Sequence, residues 1–148
     1  MKKSISQRIP ALTIAIIFLF QNTCYSLPQG GQIVEGTATI STDGSTMTID
    51  AASDTIIDFT SFDIAQGESV IVNLPNINSD ILSRVTGGTA SNIAGSLSCN
   101  GIFLLVNTNG IYVADSAAIQ ASGLVLSTLD IGNQDFLDNN YLFQIWKR

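Results

Sequence analysis

Twelve carboxylates, six cationic side chains and no histidine make up the ionisable groups of this 148-residue chain. Glycoside hydrolysis needs two carboxylates facing each other across a cleft, one of them with a raised pKa. Here the acids are scattered singly, mostly at turns, where they keep a surface soluble. Serine is abundant, but there is no imidazole to activate it as a nucleophile. Proton abstraction needs a base, and the only cation between Leu27 and Trp146 is Arg84. Asp135, Asp138, Asn139 and Asn140 form an oxygen-rich group, yet their spacing fits no calcium loop and reads as a solvated loop. Metal-ligand spacings and phosphate-binding glycine loops are absent from the sequence. The expectation is therefore no enzyme, no cofactor and no metal.

The N-terminus reads as a targeting signal. Lys2, Lys3 and Arg8 precede an apolar run from Ile9 to Phe20, too short to span a bilayer but suited to a secretory leader. Cleavage between Ser26 and Leu27 puts Cys24 and Ser26 at the small-residue positions. Lipid anchoring at Cys24 is disfavoured, because Gln21, Asn22 and Thr23 suit it poorly. The expected path is Sec export to the periplasm, then secretion or display at the cell surface. The leader holds three of the six cations and none of the acids, so three cations face twelve acids beyond it, a net charge of −9. Nucleic acid, which demands a basic footprint, is excluded as a partner. Cys99 has no partner for an intrachain disulfide once Cys24 is removed, so the core must hold without staples. It reads as a small buried hydrophobe.

The elements that carry these residues read as strands. β-type runs at Gly36–Ser41, Ser45–Asp50, Thr55–Phe59, Ser69–Leu74, Ile81–Thr86, Ile102–Val106, Ile111–Val113, Ala117–Ala121 and Leu124–Thr128 are separated by glycine-containing turns. Spacing of that kind fits a sandwich, a barrel or a solenoid. The later runs are almost continuously apolar, which suits parallel strands covered on both faces. Gly101-Ile102 and Gly123-Leu124 repeat at 22 residues, a path of about 70 Å and enough for one turn of a three-sided coil. Around Asp43-Gly44, the segments Ala38–Ser41 and Met47–Asp50 read as an ordinary hairpin. Phe59, Phe62, Phe103 and Trp146 read as core or cap aromatics.

Taken in order, several short pieces resemble one family. They are Leu27-Pro-Gln-Gly-Gly-Gln-Ile-Val34, Ile56-Ile-Asp-Phe59, Ser61-Phe-Asp-Ile64, Gly67-Glu-Ser-Val70, Arg84-Val-Thr-Gly-Gly88, Asn100-Gly101, Asn107-Thr-Asn-Gly-Ile111 and Ser127-Thr-Leu-Asp-Ile131. This order is similar to the N-terminal two-partner-secretion domain of filamentous-haemagglutinin-type exoproteins of Gram-negative bacteria. The resemblance implies an all-β fold, a right-handed parallel β-helix with an antiparallel N-terminal cap. It implies a secretion-targeting and folding module, recognised by the periplasmic domains of a dedicated outer-membrane transporter. Adhesive or toxic activity would reside in a downstream region that contacts a host or cell-surface ligand, with no small-molecule substrate here. On this reading residues 1–26 are the leader and 27–148 the front part of the domain, which ends early. A non-functional adhesin fragment and a β-helical polysaccharide-degrading enzyme are the alternatives. Two positions depart from the family pattern: Thr108 stands where the corner carries proline, and Cys99 where a small residue is usual.

The resemblance also marks candidate sites. The corner Asn107, Thr108, Asn109, Gly110 and Ile111 has the residue types of a turn, because Asn bonds nearby backbone and Gly permits positive φ; it is also a candidate surface for the transporter. Arg84 reads either as a surface or partly buried ion pair with a nearby Asp, or as a fork satisfying carbonyls or a carboxylate at a corner. Gly87, Gly88, Asn100 and Gly101 read as structural turns.

Overall fold

The computed structural model describes residues 26–145. Residues 1–25, with Cys24 among them and all but the last residue of the expected leader, and Trp146 with the two terminal cations lie outside the described residues. The described chain forms β1 (Gln32–Glu35), β2 (Ala38–Asp43), β3 (Thr46–Ala51), β4 (Thr55–Phe59), β5 (Ser69–Asn73), β6 (Asp80–Val85), β7 (Ser91–Ile93), β8 (Ser96–Cys99) and β9 (Ile102–Val106). It continues through β10 (Ile111–Val113), β11 (Ala118–Gln120), β12 (Gly123–Ser127), β13 (Asp130–Ile131), α1 (Asn133–Leu137) and β14 (Phe143–Gln144).

Most of these strands wind as a parallel solenoid. One sheet runs β1-β4-β6-β9-β12, a second β2-β3-β5-β8-β11, and β7 with β10 forms a third face. Successive coils visit the three faces in turn, and the isolated parallel bridge between Ile64 and Ile93 extends the third face by one coil. Both ends of the cap are antiparallel: β1 pairs with β4, and β2 folds back on β3 around Asp43-Gly44. The hairpin read from the sequence is therefore present, and it closes the second sheet as β1 closes the first. β1 escaped the sequence reading because its four residues are all exposed, which leaves no burial pattern to detect.

The coils are unequal. Thr55 pairs with Ile81, 26 residues on; Asp80 pairs with Ile102, 22 on; Ile102 pairs with Gly123, 21 on. The Gly101–Gly123 repeat of 22 is thus one residue out of register with the ladder, because Gly123 lies on Ile102. The two glycines share a corner instead, where the Gly123 N–H reaches the Gly101 carbonyl at 3.4 Å.

Side chains stack along the ladders. Met47, Val70, Leu97 and Ile119 form one inward column; Ile49, Val72 and Cys99 form another. Cys99 is 5% exposed and fills a position that a branched aliphatic holds in the coils below. Burial pushes its thiol pKa up from 9.0, and a neutral thiol packs as a hydrophobe. Phe59 and Phe62 meet edge to face at 5.3 Å, and Phe62 lies 5.9 Å from Phe103. Each such burial is worth about 1.5–3 kcal/mol, so these rings anchor the axis of the coil.

The first sheet is covered on both sides, which explains its continuous apolar runs. Ile56, Leu82, Leu104 and Val106 face outward and are covered by Ile131 and Phe136, with Leu137 and Phe143 alongside. The covering piece is α1 with its flanking strands; of the expected solvated loop, Asp135 lies in this short helix, while Asp138, Asn139 and Asn140 follow it as an exposed loop. Phe136 of the helix is fully buried. Burying that one ring outweighs the polarity of the residues around it.

Candidate functional site

The corner after β9 is built on a buried asparagine. Asn107 is fully buried, and its amide donates to the Thr89 carbonyl at 3.0 Å and to Ser91 Oγ at 3.0 Å, both on the coil below. Its Oδ1 accepts the Asn109 N–H at 2.9 Å, and its carbonyl accepts the Gly110 N–H at 3.1 Å. Together these bonds close a turn whose two central residues, Thr108 and Asn109, are exposed. Gly110 leaves the turn at φ +121°, which side-chain-bearing residues avoid. Ile111 then opens β10 opposite Ser91.

Corners of successive coils are stacked. Asn109 Nδ2 donates to the Gly87 carbonyl at 2.8 Å, tying this turn to the Arg84–Gly88 bend below it. Gly87 is required by close approach: a Cβ there would sit 2.0 Å from the Thr60 carbonyl oxygen. Gly88 faces open space. On another edge of the solenoid, Asn100 docks on Leu74 with both halves of its amide. Oδ1 accepts the Leu74 N–H at 2.7 Å and Nδ2 donates to the Leu74 carbonyl at 2.7 Å. An asparagine side chain thus supplies the pairing that a strand supplies elsewhere. Gly101 follows it where a Cβ would lie 2.4 Å from the Ser79 carbonyl oxygen. The structure therefore separates the candidates into two stacks, one holding Gly87, Gly88 and Asn107–Ile111 and the other holding Asn100 and Gly101.

Arg84 lies beside the first stack on the outer face of β6 and works as a fork. Its Nε donates to Asp130 Oδ1 at 2.9 Å and its Nη1 to Asp58 Oδ1 at 3.2 Å. Its Nη2 donates to the Ile131 carbonyl at 2.7 Å and to Asn133 Oδ1 at 2.9 Å. The side chain is 14% exposed, so Arg84 is at once a partly buried ion pair with Asp58 and Asp130 and a fork that also takes a carbonyl. A planar guanidinium is needed to serve four acceptors in three directions. It straps the α1 segment to the coil. A groove of about 470 Å³ opens between strap and corner, with Thr108, Val106, Thr128 and Leu129 in its walls.

Among the buried polar groups that the sequence did not flag are Asp80, Ser83 and Glu68. Asp80 is 3% exposed; it accepts the Asp54 N–H at 3.1 Å and the Tyr141 hydroxyl at 2.7 Å. Burial and that carboxylate raise the Tyr141 pKa strongly. Ser83 Oγ has no hydrogen-bond partner in an inward column between Ile57 and Leu105. Glu68 is 5% exposed within the turn before β5. Residue type alone gives no hint that any of these is buried. Among the described residues no three His, Cys, Asp or Glu side chains come together to hold a metal. Ser26 is exposed and Leu27 is buried at the start of the described chain.

Comparison with known proteins agrees with this geometry. A family model described as the TPS secretion domain matches residues 25–147. A heme/hemopexin-binding protein of Haemophilus influenzae strain Rd is 39% identical over 129 residues, covering 84% of this chain and 14% of that protein. A second heme/hemopexin-binding protein of Haemophilus influenzae is 40% identical over 118 residues, covering 78% of this chain and 13% of that protein. The crystal structure of the HMW1 secretion domain from Haemophilus influenzae superposes with a TM-score of 0.79 at 38% identity, covering 81% of this chain and 32% of that one. The chain thus spans about a seventh of the length of the curated relatives it matches.

Proposed function

The chain belongs to the family of TPS secretion domains, the two-partner-secretion targeting modules of large exoproteins, and from that premise we propose that the Asn107–Ile111 corner is a surface its outer-membrane transporter reads. A transporter partner and a secreted exoprotein of a Gram-negative bacterium follow from the family itself. Recognition by the transporter's periplasmic domains, Sec export ahead of it and removal of residues 1–26 as a leader are parts of the proposal. The observation that carries it is the contrast within one turn: Asn107 is fully buried and hydrogen-bonded to the coil below, while Thr108 and Asn109 next to it are exposed. Such a turn presents a fixed shape, and a preordered surface loses little entropy on binding. The acidic, cation-poor composition supports a protein partner over nucleic acid.

A targeting module needs no chemistry of its own, in keeping with the absence of histidine and the scattered carboxylates. The name of the relatives refers to heme and hemopexin. This chain matches only 14% and 13% of the length of those proteins.

The test is co-expression with a two-partner-secretion outer-membrane transporter, with the chain assayed in the medium. Export of the native chain is expected, with strong loss for a Thr108→Ala/Asn109→Ala double variant whose circular dichroism matches the native chain. Undiminished export of that folded variant would move recognition away from this corner.

A further inference from the structure

Glu68 is a buried carboxylate with no cation against it among the described residues. It lies in the turn Ala65-Gln66-Gly67-Glu68, where its backbone N–H bonds the Ala65 carbonyl at 2.9 Å and its carbonyl accepts the Ser96 N–H at 2.9 Å. Three neutral donors serve its side chain. The Ala65 N–H reaches Oε2 at 2.8 Å, the Ser26 hydroxyl reaches Oε2 at 3.0 Å, and the Ser26 N–H reaches Oε1 at 2.7 Å. Arg84, the sole cation among the described residues, is taken up by Asp58 and Asp130. Buried carboxylates are ordinarily paired with a positive charge, because an unpaired one is costly to desolvate.

Two of the three donors belong to Ser26, the residue that the proposed leader cleavage removes. Hydrolysis of the Ser26–Leu27 amide by a signal peptidase adds one water. Ser26 departs with the leader as a carboxylate, and Leu27 keeps the nitrogen as an α-ammonium. That nitrogen starts within about 3.6 Å of the departed Ser26 nitrogen, since adjacent residues are no further apart along a chain. The residue that carries it is anchored, because the Leu27 side chain is 1% exposed in the core and the Leu27 carbonyl accepts Gln29 Nε2 at 2.7 Å.

We propose that Glu68 is the receptor for the α-ammonium group of the mature N-terminus, so that leader removal supplies the counter-charge this carboxylate lacks. The inference rests on the proposed cleavage after Ser26. The precursor satisfies Glu68 with neutral donors; the mature chain satisfies it with a charge-assisted bond, the stronger kind.

The test uses the full precursor, exported in a Gram-negative host and recovered as the processed protein. Intact mass first reads the N-terminus, and a first residue other than Leu27 overturns the cleavage premise by itself. N-hydroxysuccinimidyl acetate at pH 7.5 then reports on the amine. An ordinary α-amine, with a pKa of about 7.7–8.0, reacts well ahead of a lysine at about 10.4. Held protonated against Glu68, the Leu27 amine should react at least ~10-fold more slowly in the native protein than in the same protein in urea. Glu68→Gln should abolish that protection while circular dichroism is retained; if that variant does not fold, the native-to-urea ratio of the unaltered protein decides alone. Equal native and urea rates, or full protection in a folded Glu68→Gln protein, overturn the receptor role with the cleavage premise intact.

Discussion

Replacing Arg84 by lysine keeps the charge and removes the fork. The guanidinium reaches Asp130, Asp58, the Ile131 carbonyl and Asn133 at 2.7–3.2 Å. A lysine ammonium is one compact donor centre, able to hold one of the two carboxylates and a single further acceptor. Two hydrogen bonds from a charged donor are lost, each worth about 1.5–3 kcal/mol. The carboxylates are 27% and 26% exposed, so water replaces part of what they lose. Discounting by about half gives a net destabilisation of about 2 kcal/mol. With a urea m-value of about 2 kcal/mol/M, the midpoint should fall by about 1 M at unchanged m. Amide exchange should locate the damage. Protection should fall at Ile131, Phe136 and Asp138, and hold at β5 and β8, which Arg84 does not touch. A midpoint shift below about 0.25 M, or a uniform loss of protection, would refute the strap and leave Arg84 as a plain ion pair.

Four further outcomes are expected. Thr108 is the second residue of a turn closed by the Asn107 carbonyl and the Gly110 N–H, a place where proline's fixed φ fits, so Thr108→Pro should stabilise by about 0.4–1 kcal/mol in urea unfolding. Asn107→Ala removes the donors to Thr89 and Ser91 and the acceptor for Asn109 at a fully buried site; a loss of about 2–3 kcal/mol should follow, and a loss under 0.5 would show that the corner does not depend on it. Ser83→Ala deletes a buried hydroxyl that has no partner and should raise stability by about 1 kcal/mol, read as a higher Tm. Cys99 has its pKa raised by burial above 9.0, so the unfolded thiol ionises first. Its contribution is full below pH 9.0 and fades as pH climbs towards the folded value, and Cys99→Ala should flatten that part of the alkaline stability curve.

The sheet that holds β4, β6, β9 and β12 was the most legible part of the sequence. Its strands are largely apolar on both faces, as suits parallel strands with two covers. What covers the outer face was not legible. α1 spans five residues, too few for a helical period to register, and its anchor Phe136 sits among polar neighbours. β7 and β8 were missed for a related reason: Ser91-Asn-Ile93 and Ser96-Leu-Ser-Cys99 carry one or two apolar residues each and resemble loops. The alternation Ser-Leu-Ser-Cys was the available signal, with the two inward residues buried. At the corner, residue types announced the turn. They could not announce that Asn107 is buried, because that depends on Ser91 and Thr89 arriving beneath it from a coil whose length differs from its neighbours'. Glu68 stayed invisible altogether, since its partner Ser26 lies 42 residues away.

The Arg84 strap also has a mechanical meaning. Hydrogen bonds between coils point along the solenoid axis, so tension along that axis loads the coils in series and peels them one at a time from an end. Arg84 sits on β6, yet it grips Asp58 on the coil beneath and Asp130, Ile131 and Asn133 beyond the last parallel strand. Force applied at the α1 end must therefore break this four-bond clasp before β12 and then β9 can unpeel. The clasp turns a zipper into a latch, and the resistance it adds is set by one side chain.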